Sequence, residues 1–280
     1  MDLSIFDYRF MQYAILAAFL GGIACATIGV FVVLMRMAFI GVCMAHAAFA
    51  GAIFGVWMGF DPIIGAFAFS LGAAAVVGPL ADRGELNPDT AIGIIFSLML
   101  GLSFLFIGLI PGPKTEVWGL LWGSILTVTT SDLLLLAVVA AAVVAVVLLF
   151  YKEIKTFLFH RETALAVGMP AALIFYGLLF LTGGVITASL RPIGGLLIFS
   201  LILNPAAAAY QLTYSLKRMF VLSAAFGVLS GWIGLFISYA LDAPSGATIV
   251  IVSSVIFALA TIFSPKRRVK RLEEGLKGMA

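Results

Sequence analysis

The stretch Met37-Ala-Phe-Ile-Gly41-Val42-Cys43-Met-Ala45-His46-Ala-Ala-Phe-Ala50-Gly51-Ala-Ile-Phe-Gly55-Val-Trp-Met-Gly59 decides the fold. It is long enough for a helix that crosses a bilayer, which needs about 20 apolar residues. Gly51, Gly55 and Gly59 fall four apart, share one helix face and let a second helix approach closely. Cys43 and His46 are the only ionisable side chains in the stretch, and His160 is the only other histidine in the chain. A histidine inside a span faces a cavity or a partner, because lipid offers its nitrogens nothing to bond. At about 100° per residue, His46 lies about 140° from Gly51. One face is therefore set to pack and the other to look into a pathway. Cys43, one turn before His46, is expected to share the histidine's face.

The rest of the chain has the same character. It is 63% hydrophobic and only 10% charged over 280 residues, with a mean hydropathy of +1.20, whereas soluble domains carry roughly 25% charge. This composition excludes a soluble domain with an anchor and predicts an all-α, polytopic transmembrane bundle. The two cysteines, Cys25 and Cys43, both fall in apolar runs and read as free thiols. The first apolar run is long and lacks a basic leader, so it reads as a span and not as a cleavable signal. Apolar segments near 10–35, 39–59, 62–80, 90–111, 130–151, 169–187, 192–213, 218–240 and 245–263 predict nine spans, or eight if one is miscounted. The half-apolar run 118–125 is where a re-entrant segment would upset the count. Residues 1–265 form the membrane domain and 266–280 a basic cytoplasmic tail.

Lysine and arginine orient the bundle. With the tail in the cytoplasm, 13 basic residues fall inside and 3, Arg9, Lys114 and Arg191, outside. Six acids, Asp2, Asp7, Asp61, Glu116, Asp132 and Asp242, fall outside as well. That outer face either concentrates cations or is simply polar.

Four interruptions punctuate the spans. Asp89 is placed to cap the helix after a polar turn. The longest inside loop, 152–170, contains a short helix over 161–167 ended by Gly168 and Pro170; it is an ordinary interfacial helix or, with small Ala164 and Ala166, one that seats in a partner. Asn204-Pro205 interrupts 192–213, as a kink or as the N-cap and first residue of a restarted helix. Asp242 to Gly246 is an outer turn. The chain has no glycine-rich phosphate loop, no His-Glu-x-x-His metal helix and no nucleophile–base pair, so catalysis within it is not expected. A charged proton relay is also poorly supported, and the energy for any transport must come from elsewhere.

Several blocks together resemble the permease subunits of ABC transporters that import zinc, manganese or iron with a binding protein. Residues 41–51 are similar to that family's Gly-Asp-x-x-Ser-His-x-x-x-Pro-Gly signature, 89–97 to its Asp-Thr-Ala-Ile-Gly block, 204–209 to its Pro-Ala-Ala element and 242–250 to its last block; Gly123 to Leu126 with Ser131-Asp132 looks like a further block. The resemblance implies a homodimer in the bacterial inner or plasma membrane, surrounded by lipid, with the pathway along the interface. It implies two cytoplasmic ATPase subunits gripping the helix around Arg161, Glu162, Ala164, Ala166 and Gly168, and an extracellular or periplasmic metal-binding protein docking outside. It implies a signature histidine, here His46, facing the metal. No nucleic-acid partner, no enzyme activity in this chain and no permanently bound cofactor are expected. The sequence departs from the signature where Val42 replaces the acid, Ala45 the serine and Ala50 the proline. Cys43 and Asn204 are the nearest substitutes for the lost ligand. An N/S pair from His46 and Cys43 would suit zinc better than manganese, so the expected cargo is zinc, with manganese or iron as the alternative. An ATP-independent secondary transporter is the competing class.

Overall fold

A computed structural model describes residues 8–82, 87–114, 117, 119–120, 123, 125–195 and 198–266. The described residues form helices: α1 (Arg9–Leu34), α2 (Ile40–Met58), α3 (Pro62–Asp82), α4 (Pro88–Leu109), α5 (Thr130–Leu149), α6 (Tyr151–Phe159), α7 (Arg161–Ala166), α8 (Ala171–Ile193), α9 (Ile198–Leu212), α10 (Leu216–Leu241) and α11 (Ser245–Ile262), with a short 3-10 turn at Ile125–Thr127. Eight of them are long and apolar enough to cross a membrane; α9, at 15 residues, is shorter. The chain is an all-helical polytopic membrane protein with eight to nine spans. The run 118–125 and the basic tail beyond Lys266 lie largely outside the described residues, as does the turn at 83–86.

Side-chain contacts sort the helix ends. Tyr13 and Thr130 hydroxyls meet at 3.1 Å, and Arg191 reaches Asp61 and Asp132. The start of α1, the α2–α3 turn, the start of α5 and the end of α8 therefore share one end of the bundle. At the other end, the Ser264 hydroxyl donates to the Gln211 carbonyl at 2.9 Å, joining α9 to the last residues of the bundle. The Lys266 ammonium lies 3.5 Å above the centre of the Tyr210 ring, and partial burial draws its pKa down.

α1 and α2 are the innermost helices: 72% of an 18-residue stretch of each is buried, against 22% in α4. Small residues permit this. A Cβ on Gly22 would stand 2.8 Å from the Gly227 carbonyl carbon, so α1 and α10 touch backbone to backbone. α2 meets α3 in the same way, where a Cβ on Gly51 would overlap the Gly65 carbonyl oxygen and one on Gly65 would overlap that of Gly51. Gly55 is a looser neighbour, its would-be Cβ 3.0 Å from Pro62 Cα. Gly59 is not part of this seam. It ends α2 in the left-handed region at φ +78°, with nothing near its Cβ position; a helix commonly stops on such a glycine.

Two local expectations need correction. Asp89 does not cap α4: the N-cap position is Asn87, Pro88 opens the helix, and Asp89 lies in its first turn without a side-chain cap bond. An acid there still favours the helix through its dipole. The capping box falls instead on α5, where Thr129 Oγ1 accepts from the Asp132 N–H and the Asp132 carboxylate accepts from the Thr129 N–H. The break in 192–213 is not at Asn204-Pro205, since both lie inside α9. It lies ten residues earlier, at Gly194, where φ is +93°. Gly194 and Gly195 are buried, so the chain turns back inside the bundle, and that shortens α9. Pro205 removes one backbone donor within a helix that continues through it, as membrane helices tolerate.

Candidate metal-passage site

The first half of α2 exposes only two residues even partly, Val42 and His46, which stand one turn apart. His46 Nδ1 lies 2.9 Å from the Val42 carbonyl oxygen. A carbonyl only accepts, so in the neutral ring Nδ1 carries the proton and Nε2 keeps its lone pair. Phe96 of α4 holds the ring edge-on, 4.9 Å between centroids. A single imidazole is thus held with Nδ1 against a carbonyl, which in the neutral ring leaves Nε2 as the candidate ligand.

Cys43 does not join it. The residue is 0% exposed and packs in the core with Met44. Three residues turn a helix about 300°, leaving Cys43 about 60° from His46. On a helix as enclosed as α2, that offset separates an open position from a packed one. In this structure the sulfur behind the zinc expectation is enclosed and does not share the opening at His46. Asn204 is also otherwise engaged, as donor and not as a helix cap. Its Nδ2 lies 2.8 Å from Ser200 Oγ and 3.0 Å from both Ser253 Oγ and Ser254 Oγ, tying α9 to α11. Among the described residues no group of three or more His, Cys, Asp and Glu side chains could hold an ion. An ion at His46 would be weakly held, as passage requires: a closed four-ligand set retains its metal. Replacing Cys43 with Ala is expected to leave metal uptake within about twofold of the parent, since the change is a small one in an apolar wall; radiometal uptake at matched protein levels measures it.

At the opposite end from Arg191, α7 is stopped by a Schellman pair: Met169 N–H donates to the Ala164 carbonyl at 2.9 Å and Gly168 N–H to the Leu165 carbonyl at 3.1 Å. Gly168 sits at φ +75°. Ala164 faces inward and is fully buried, so it anchors the helix instead of presenting it. Glu162 and Ala166 are exposed, and Arg161 lies 5.8 Å from the Phe157 ring centre. The apolar side chains that α7 and its C-cap turn outward are Leu165, 58% exposed, and Val167, 65% exposed. Sequence reading passed over both, because small residues drew attention to the alanines. It also placed Asp61, Asp132 and Arg191 on one side of the membrane without bringing them together.

A helical membrane bundle with a lone intramembrane imidazole and no nucleotide-binding loop has the makings of a transport subunit driven from outside itself. The family model described as the ABC 3 transport family matches residues 7–264, and the chain belongs to that family. It is the membrane permease of a metal-uptake ABC transporter, and ATP hydrolysis resides in a separate subunit. The chain is 35% identical to the "Manganese transport system membrane protein MntC" of Halalkalibacterium halodurans, over 95% of this chain and 91% of that protein. It is 29% identical to the "Chelated iron transport system membrane protein YfeD" of Yersinia pestis, over 95% and 89%. The solved structure "PsaBC from Streptococcus pneumoniae in complex with Fab" contains a chain 31% identical, with a TM-score of 0.86 and coverage of 96% of this chain and 97% of that one. Manganese and iron, and not zinc, are the metals these names carry.

Proposed function

We propose that this permease passes divalent manganese across the bacterial plasma or inner membrane, with ferrous iron as the second cargo favoured by the likeness to an iron-system protein. The 35% identity to a manganese-system membrane protein over 95% of the chain supports this assignment, and the half-buried imidazole of His46 is the group that meets the ion. Imidazole by itself suits zinc and iron at least as well as manganese, whose preferred partners are oxygens; the choice of manganese therefore rests on the relatives and not on this ligand. Two copies of the chain assemble with the α2 faces toward the shared pathway. A binding protein delivers the ion at the end that holds Asp61, Asp132 and Arg191. The end that holds α7 and Lys266 faces the cytoplasm, in line with the lysine and arginine bias. There α7 seats in the ATPase pair, Leu165 and Val167 enter its groove, and ATP-driven closure switches the bundle between outward and inward openings.

Metal accumulation in bacteria lacking their own manganese, iron and zinc importers, and carrying this permease with its ATPase and binding protein, tests the cargo. Manganese is expected to rise first, iron next, and zinc not at all; selective zinc accumulation would overturn the assignment. For the coupling helix, Leu165→Asp combined with Val167→Asp should leave the permease in the membrane but reduce copurifying ATPase at least about tenfold, because burying two carboxylates in an apolar groove is costly. Undiminished copurification would remove α7 from the contact.

A further inference from the structure

On the same end of the bundle as α7, the corner where α9, α10 and α11 meet carries charge and aromatic surface that ion passage does not use. The Lys266 ammonium, just past α11, lies 3.5 Å from the centre of the Tyr210 ring and 4.9 Å from that of Tyr214. The Ser264 hydroxyl donates to the Gln211 carbonyl, so the chain leaving α11 is tied to the α9–α10 turn. Lys217 and Arg218 stand in the first turn of α10, three and four residues beyond Tyr214, and both are exposed. Tyr210 and Tyr214 are exposed as well.

Three observations set this corner apart from an ordinary solvated face. Its charge is unanswered: Lys217, Arg218 and Lys266 make no ion pair among the described residues, and the only acid between Thr163 and Leu272 is Asp242, at the far end of α10. Its hydroxyls are unanswered too, since neither tyrosine O–H has a hydrogen-bond partner among the described residues. Its depth is that of lipid headgroups. α11 has 18 residues and rises about 27 Å, close to the hydrocarbon thickness of about 30 Å. Val221, four residues after Lys217, and Ile262, four before Lys266, are each 64% exposed. A lysine one turn beyond an exposed apolar side chain reaches the interface while its neighbour meets the acyl chains, so the corner lies on the lipid-facing rim. The sequence continues with Arg267, Arg268, Lys270 and Arg271, and a basic cluster of this kind directly beyond a span attracts anionic lipid.

We propose that Tyr210, Tyr214, Lys217 and Lys266 form a binding site for the headgroup phosphate of an anionic phospholipid such as phosphatidylglycerol. The tyrosine hydroxyls donate to the phosphate oxygens and the two ammonium groups neutralise its charge. Lys266 is already held over the rings, so little side-chain freedom is lost on binding. Arg218 and the arginines after Lys266 enrich such lipids nearby. A headgroup seated there bridges the start of α10 and the end of α11, and so fastens the last helix, which packs mainly against α9 and α10. Only the choice of the cytoplasmic leaflet rests on the orientation proposed above; the site itself is read without metal or ATP.

The test uses the full chain with its ATPase subunits, purified in a neutral detergent and titrated with phosphatidylglycerol or phosphatidylcholine, with bound lipid counted by native mass spectrometry. Phosphatidylglycerol should bind at least about tenfold more tightly than phosphatidylcholine. Lys217→Gln combined with Lys266→Gln should weaken phosphatidylglycerol at least about fivefold. Lys152→Gln combined with Lys155→Gln, an equal loss of charge on α6, should leave it within about twofold. Tyr210→Phe combined with Tyr214→Phe keeps both rings and should weaken it about threefold through the lost hydroxyls; this pair decides the matter if the Lys217 and Lys266 variant does not accumulate, and unchanged affinity in it would overturn the site. Equal losses from the two lysine pairs would reduce the effect to net charge and overturn it as well. So would displacement of the lipid by inorganic phosphate at comparable concentration, which would mark a free-anion site. Loss of the ATPase from the Lys217 and Lys266 variant with lipid binding intact would assign the corner to the partner subunit instead.

Discussion

Replacing His46 with Ala is expected to cut ATP-driven manganese uptake at least about tenfold while leaving the permease at its normal level in the membrane. A tenfold loss corresponds to about 1.4 kcal/mol, modest for removing the one nitrogen ligand available in an apolar span. An ion leaving water for such a span loses hydration that only His46 Nε2 and polar groups near it replace. The ring is half-buried and touches Phe96 on its edge, so truncation leaves the packed side of α2 intact. The neighbouring position separates conduction from retention. Val42 shares the open face of α2 one turn from His46, and Val42→Asp would return a carboxylate to the place where the family pattern carries one. That variant should hold manganese more tightly, read as a lower half-saturating concentration for uptake. Unchanged uptake in His46→Ala would take the imidazole out of the pathway.

The second large effect is at the α2–α3 seam. Gly51→Leu is expected to abolish accumulation of folded permease, because the first added carbon already overlaps the Gly65 backbone and Phe69 Cβ lies 2.7 Å away. Overpacking costs about 1–3 kcal/mol where side chains can yield; here the obstacle is main chain on a facing helix, which cannot. Gly55→Leu should be milder, since its first contact is at 3.0 Å. Gly59→Ala should cost only the strain of a left-handed residue, about 1–2 kcal/mol, because its Cβ would meet open space. Membrane abundance and the thermal midpoint of the detergent-solubilised chain should rank the three as Gly51, then Gly55, then Gly59. Equal tolerance at Gly51 and Gly59 would contradict the seam.

The spans were legible in the sequence because bilayer thickness imposes length and composition together, and both can be counted along 10–35 or 130–151 without any contact. The four-residue glycine spacing pointed to the right helix face but not to its end: Gly59 continues the period numerically, yet the helix stops there, and only backbone dihedrals separate a packing glycine from a terminating one. Asn204-Pro205 looked like a break because proline lacks a donor, but three serine hydroxyls on α9 and α11 absorb the asparagine and the helix runs on. The true break at Gly194 carried only a Pro-Ile-Gly-Gly run as its signal. Cys43 was misplaced by 60° of helix rotation, which sequence spacing treats as one face and a tightly enclosed helix does not. The Arg191 cluster could be sorted to one side of the membrane by charge, but its three members are 71 and 59 residues apart in sequence, and only the packing of α3, α5 and α8 unites them.

The most direct measurement is manganese uptake into liposomes that contain the purified permease, compared with and without its ATPase subunits, ATP and the external binding protein. Accumulation is predicted only when all are present, and it should collapse with His46→Ala. Manganese accumulation driven by the permease alone, or by an ion gradient without ATP, would contradict a conduit that is powered from a separate subunit.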